Sequence, residues 1–132
     1  MNKNYFATGC VLCAIAVGIG AMGAHGLRNV LDPYSLEVYK TAVLYHFLHS
    51  IGIIILSFIP ALQRGKLIRL AFWLLLGGII LFSGSLYLLS TKSLWTELPL
   101  NWLGPLTPLG GLLFIAGWLT AAIGIYQIKR YS

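Results

Sequence analysis

Three histidines, His25, His46 and His49, are the residues of this chain best suited to chemistry. Imidazole changes charge near neutral pH and can donate, accept, ligate a metal or relay a proton. His46 and His49 stand at i and i+3, which puts both on one face of a helix. Tyr45 and Ala42 border that face, and Ser83, Tyr87 and Ser90 recur further on at i, i+4 and i+7. Thr107 opens a later apolar run. A neutral imidazole wants one donor and one acceptor partner, which Ser83, Tyr87 and Thr107 can supply. The set reads as an interhelical hydrogen-bond network, as a ligand pocket or conduction path, or as a metal or haem site. Chemistry weighs against the last. No carboxylate shares the depth of the histidines, no thiolate is near them, and an i, i+3 pair cannot by itself hold a haem from opposite sides. No metal and no cofactor is therefore expected. Cys10 and Cys13 have CxxC spacing, but a redox pair opens a helix, where the dipole lowers the thiol pKa. Inside an apolar run the two read as small packing residues.

The elements that must position these residues are membrane helices. Of 132 residues, 58% are hydrophobic and 9% charged, against roughly 25% charged in a soluble domain. That balance excludes a disordered chain, which needs low hydrophobicity, and a soluble enzyme domain, whose surface could not be covered. Two cysteines exclude a disulfide-stapled fold. A spanning helix needs about 20 mainly apolar residues. Four runs qualify, predicting helices over about 5–27, 36–62, 68–90 and 106–127. The expected fold is all-α: one membrane domain over residues 1–132, a polytopic bundle of four transmembrane helices. The first run exceeds the roughly 7–15 residues of a signal-peptide core and is read as a retained span.

Local signals set the ends. Asp32-Pro33 reads as an N-cap followed by proline at the first helical position, so the second helix is expected to start near Pro33, ahead of its apolar part. Pro60 is expected to close it. Arg64, Lys66 and Arg69 make a basic turn to the third helix. The longest link passes Trp95, Pro99, Trp102 and Pro105, a composition that suits the membrane surface. Small residues recur at helical spacing: Ala16, Gly20 and Ala24; Gly20, Gly23 and Gly26; and Gly110, Gly117, Ala121 and Gly124. Such stripes let helix backbones approach closely, within one bundle or, as the alternative, in a homodimer.

Chain direction gives depth. In an up-down chain the end of helix one, the start of helix two, the end of helix three and the start of helix four share one side. His25, His46, Ser83, Tyr87 and Thr107 all fall within about two turns of that side, or roughly 10 Å, with His49 a turn deeper. Residues 53–56, 74–76 and 119–125 make the opposite half almost purely apolar. Lys3, Arg64, Lys66, Arg69, Lys129 and Arg130 stand on the other side from Arg28, Lys40 and Lys92. The positive-inside rule then places both termini in the cytoplasm and the polar half outward. The basic residues form no patch, so no nucleic-acid partner is expected.

Five segments occur in order: Gly20-Ala21-Met22-Gly23-Ala24-His25-Gly26-Leu27, Thr41-Ala42-Val43-Leu44-Tyr45-His46-Phe47-Leu48-His49, Leu81-Phe82-Ser83-Gly84-Ser85-Leu86-Tyr87, Thr107-Pro108-Leu109-Gly110-Gly111 and Ala116-Gly117-Trp118. In these the chain resembles the YgdD-like family of small uncharacterised membrane proteins of bacterial inner membranes, with eukaryotic relatives. The resemblance extends over nearly the whole chain. It implies a retained first helix, four spans and no assigned activity or catalytic residue.

Three functions compete. The first is a non-enzymatic protein of the inner cell membrane that binds a lipid or other small amphipathic molecule through His25, Tyr45, His46, His49, Ser83, Tyr87 and Thr107. The second is a compact transporter or channel with a histidine proton relay. The third is a structural or assembly partner in a homo-oligomer or larger membrane complex. Membrane lipids are the expected partners of any of these. An enzyme is the weakest class: there is no carboxylate pair within a span, no phosphate loop and no nucleophile motif. The topology is checked by a cysteine introduced beside Trp95 in a background lacking Cys10 and Cys13. It should react with an impermeant thiol reagent in intact cells, and labelling only after membrane disruption would reverse the orientation.

Overall fold

The computed structural model describes residues 1–60 and 65–128. Its helix α1 is Lys3–His25 and α2 is Pro33–Ser57. Helix α3 (Lys66–Gly78), a π-helical turn (Ile79–Ser83) and α4 (Gly84–Thr91) run on as one rod, the third span. Two 3-10 turns, Lys92–Leu94 and Asn101–Leu103, carry the link to α5 (Leu106–Ile128). The described residues form no strand, and four helical rods are long and apolar enough to cross a membrane. Even the shortest segment, the 23 residues of α1, rises about 34 Å, enough for a hydrocarbon core about 30 Å thick.

The ends follow their caps. The Asn2 side chain accepts the N–H groups of Asn4 and Tyr5 at 3.0 and 3.3 Å, so α1 starts at Lys3, slightly earlier than its apolar pattern. Asp32 Oδ1 accepts the Ser35 N–H at 3.0 Å, with Pro33 at the first helical position, as the Asp-Pro pair predicts. Hydrogen bonds from Ser35 hold the exposed Asp32 carboxyl below its ordinary pKa. The expected end of the second helix needs correction: α2 stops at Ser57 rather than near 62. The N–H groups of Phe58 and Ile59 turn back to the carbonyls of Ile55 and Leu56, tightening the last turn ahead of Pro60. Residues before a proline are pushed out of the helical region, so the helix ends ahead of it. Leu62, Arg64, Lys129 and Arg130, used above for this helix end and for the charge count, lie outside the described residues.

Helix α1 packs along α2, and α5 packs along the third span. Helix α2 joins the two pairs by also touching α3, the π turn and α4. The buried centre is Ile53 and Leu56 from α2, Ala71, Phe72, Leu75 and Ile79 from the third span, and Phe114 and Ala121 from α5. Tyr5 closes it from α1 by stacking on Phe72 with ring centroids 3.9 Å apart. Many other large apolar side chains, among them Val17, Ile55, Ile80 and Leu119, point away from the bundle. In water that surface would be an aggregation liability. Against hydrocarbon it is the expected exterior.

Lipid tails are as apolar as leucine, so burial alone gives helices little reason to associate, and close backbone approach must do it. On α1 the buried seam is Gly9, Ala16 and Gly23, seven residues apart. At Gly23 a Cβ would come within 2.6 Å of the Tyr39 ring, whose hydroxyl donates to the Ile19 carbonyl at 2.7 Å. Gly20 sits shallower, a Cβ there lying 3.2 Å from Val43, and Ala24 is exposed. The expected packing role of Ala24 is therefore corrected: it lies beside the seam, where the helix face turns outward. On α5, Gly110, Gly117, Ala121 and Gly124 are all buried against the third span. The tightest approach is at Gly110, where an added Cβ would lie 2.8 Å from the Phe82 Cα, a backbone atom that no rotamer change can move.

Gly110→Ala should therefore lower stability by about 1–3 kcal/mol, the usual cost of overpacking. Gly18→Ala, which meets nothing within 4 Å, should leave the melting temperature in detergent unchanged or slightly raised. Equal melting temperatures for the two variants would contradict this packing.

Candidate functional site

The third span lies between α2 and α5, and its polar residues alternate between them. Ser83, fully buried at the end of the π turn, donates through Oγ to the Ala42 carbonyl of α2 at 2.9 Å. Tyr87, one turn on, places its hydroxyl 3.1 Å from His46 Nδ1 on α2. Ser85, between them, faces the other way and bonds the Thr107 hydroxyl of α5 at 2.6 Å. These three bonds tie the third span to both neighbours. Ser90 and Thr91 turn inward to their own helix, each donating to the Tyr87 carbonyl.

His46 is 4% exposed, and its Nε2 is buried without a partner among the described residues. His49, 3% exposed, goes elsewhere. Its Nδ1 lies 2.7 Å from the Tyr45 carbonyl. A carbonyl only accepts, so Nδ1 carries the proton, and in the neutral ring Nε2 is left as an acceptor. The imidazole stacks on Phe114 of α5 with centroids 3.5 Å apart and planes 13° apart. Trp118 stands 6.2 Å away, and its ring fills the space over Gly52.

Around His49 the surfaces of α2 and α5 form an open groove of about 470 Å³, with Leu44, Tyr45 and Leu48 on one wall, Gly111, Phe114, Ile115 and Trp118 on the other, and Phe82 of the π turn between. Tyr45 contributes its ring, 4.6 Å from that of Phe82. A second groove of about 480 Å³ runs between the third span and α5 past Ser85, Tyr87 and Trp102.

The expected site residues thus divide. His46, Ser83, Tyr87 and Thr107 lie in the interhelical network, His46 paired with Tyr87 and Thr107 with Ser85. His49 and Tyr45 line the α2–α5 groove instead. His25 joins neither: it is exposed at the last turn of α1, away from the neighbours that bury His46, so its expected place in the bundle is corrected. Cys10 is exposed and Cys13 half-buried, both free thiols, so at most Cys13 serves in packing. Among the described residues no three His, Cys, Asp or Glu side chains gather. Sequence reasoning missed Ser85 and Tyr39. Ser85 stands two residues from Ser83 and so off its helical row, and Tyr39 lies in the first turns of α2, ahead of its apolar part.

Apolar rods with lipid-suited exteriors and an internal polar seam define a polytopic α-helical membrane protein. Residues 19–111 match the family model described as "Protein of unknown function (DUF423)". The chain is 38% identical over 122 residues to the UPF0382 membrane protein YwdK of Bacillus subtilis, covering 92% of this chain and 94% of that one. A UPF0382 membrane protein of Haemophilus influenzae is 35% identical over 129 residues, 98% of each chain. One from Schizosaccharomyces pombe is 37% identical over 113 residues, 83% of this chain and 90% of its own. The chain belongs to this DUF423/UPF0382 family of membrane proteins. No solved structure matches it.

The His46–Tyr87 pair is open to a double-mutant cycle. Tyr87→Phe should destabilise by about 1 kcal/mol, the scale of hydrogen bonds between membrane helices, because it leaves the buried imidazole with no side-chain partner. His46→Leu together with Tyr87→Phe should recover part of that loss, since removing both polar partners removes the unsatisfied group. Simple additivity of the two single variants in thermal unfolding would dissolve the pair.

Proposed function

We propose that this is a non-enzymatic integral protein of the inner cell membrane, both termini cytoplasmic, that binds a lipid or other small amphipathic molecule in the groove between α2 and α5. The observation that carries this reading is the His49 imidazole in the wall of a groove lined otherwise by aliphatic and aromatic side chains. A groove on the lipid-facing surface of a spanning bundle is entered sideways, from the bilayer, and lipids are the molecules present there. Its largely apolar walls suit acyl or isoprenoid chains, and a polar group amid such walls suits the orienting contact of a small-molecule site. Four of the other expected residues support the groove: Ser83, and Tyr87 with His46, fix the third span against α2, and Thr107 fixes α5 against it.

A second reading, a compact channel or transporter with a histidine relay, is favoured by the unpartnered Nε2 of His46. The division of the two histidines between different neighbours speaks against it, because a relay needs a continuous row of donors and acceptors. Affiliation with the YgdD-like group is also our reading, supported by the GAMGAHGL and LFSGSLY segments.

A photoactivatable lipid analogue tests the groove. Crosslinks should map to peptides of α2 and α5 around His49 and Trp118. Gly111→Leu should fill the groove: a Cβ there makes only ordinary contact with Phe82, at 3.8 Å, so its melting temperature should stay near that of the parent. Crosslinking at those peptides should be lost in this variant. Undiminished crosslinking in a folded Gly111→Leu protein would refute the site.

A further inference from the structure

Resting on the groove reading, we infer that the groove's occupant is a neutral lipid with a flat, hydroxyl-bearing ring at its polar end, the ring's O–H donating to Nε2 of His49. The first support is the tautomer. The Tyr45 carbonyl, 2.7 Å from Nδ1, holds the proton on that nitrogen, so the neutral ring presents Nε2 as an acceptor and offers the ligand no donor. The second is access. Among the described residues His46 Nε2 is the one buried side-chain polar atom without a partner. Among the described residues no hydrogen bond reaches His49 Nε2 either, yet this atom is not one of those buried without a partner, and its ring borders the groove. An acceptor in a largely apolar wall is complementary to a hydroxyl donor.

Charge narrows the class. Among the described residues no Lys, Arg, Asp or Glu lines the groove. A phosphate or carboxylate head would therefore sit without a cation, against a lone pair that repels it, and a buried unpaired charge is strongly disfavoured. The aromatic lining narrows it again. The rings of Tyr45, Phe82 and Phe114 lie with centroids 4.6–6.2 Å from one another, and Trp118 extends the row. Such a surface offers faces and edges to another ring, worth more than equal apolar area alone. A phenolic or quinol-like head on an apolar tail meets all three conditions.

The test is competitive binding to the purified full chain, read by native mass spectrometry and by displacement of the photoactivatable lipid. The probes are meta-pentadecylphenol, its methyl ether, dioleoylglycerol and phosphatidylglycerol. The phenol should bind about five- to tenfold more tightly than the ether, the effect of one neutral hydrogen bond, and more tightly than either glycerolipid. His49→Phe keeps a ring to stack on Phe114 and removes the acceptor, so phenol and ether should then bind alike. Should that variant fail to fold, the phenol-to-ether ratio on the unaltered protein decides. Equal binding of phenol and ether overturns the hydrogen bond. Dioleoylglycerol matching the phenol overturns the ring, and phosphatidylglycerol matching it overturns the neutral head. Binding of none of the four, together with no photolabelling of the groove, overturns the groove reading itself.

Discussion

A bilayer interior offers no hydrogen bonds and no hydrophobic drive between helices. Backbone groups must be satisfied within each helix, and helices are held by close approach and a few polar bonds. The rest of this structure depends on that constraint. It is met where Gly110 of α5 lies on the backbone of Phe82, one residue from the Ser83–Ala42 bond and three from the Ser85–Thr107 bond. At this one level the third span is fixed to both neighbours, and its helix widens there into the π turn Ile79–Ser83. Interruptions of this kind often mark functional sites, and this one places Phe82 in the groove beside Tyr45 and Phe114.

The same constraint explains why the two buried histidines have different tasks. Residues three apart on a helix are offset by about 60° around its axis. On α2, which lies between α1 and the third span and faces α5 across the groove, that offset is enough to change neighbours. His46 turns to Tyr87 of α4, and His49 turns to Phe114 of α5. The first is enclosed and ties helices together. The second lines a surface that lipid can reach, its Nδ1 held by its own helix and its Nε2 without a hydrogen bond from the described residues.

Much of the fold was legible because its causes are local. Apolar length marks the four spans, and Asp32-Pro33 marks the start of α2 through a cap that needs only three neighbouring residues. Small residues at positions 110, 117, 121 and 124 announce the face α5 buries. What stayed hidden depends on which helix lies opposite. The α1 seam repeats every seven residues, through Gly9, Ala16 and Gly23, and a search at three- and four-residue spacing finds only part of it. The Gly77-Gly78 pair ahead of Ile79–Ser83 is a break signal, but it does not specify a π turn. Depth placed His25 with His46, but depth does not enclose a residue at the last turn of a helix that packs mainly along α2. The pairing of Ser85 with Thr107 needs the register of α5 against the third span, which the Gly110–Phe82 contact sets.

The central claim is that the surface between α2 and α5 is a binding site that membrane amphiphiles enter from the side. It is tested most directly by an experimental density map of the protein extracted with its native lipid. The account predicts elongated density, belonging to no residue of the chain, along Phe114 and Trp118, with one end within hydrogen-bonding distance of His49 Nε2. A map in which Tyr45, Phe82 and Trp118 close over one another and leave no such density there, while lipid density is resolved elsewhere on the bundle, would contradict it.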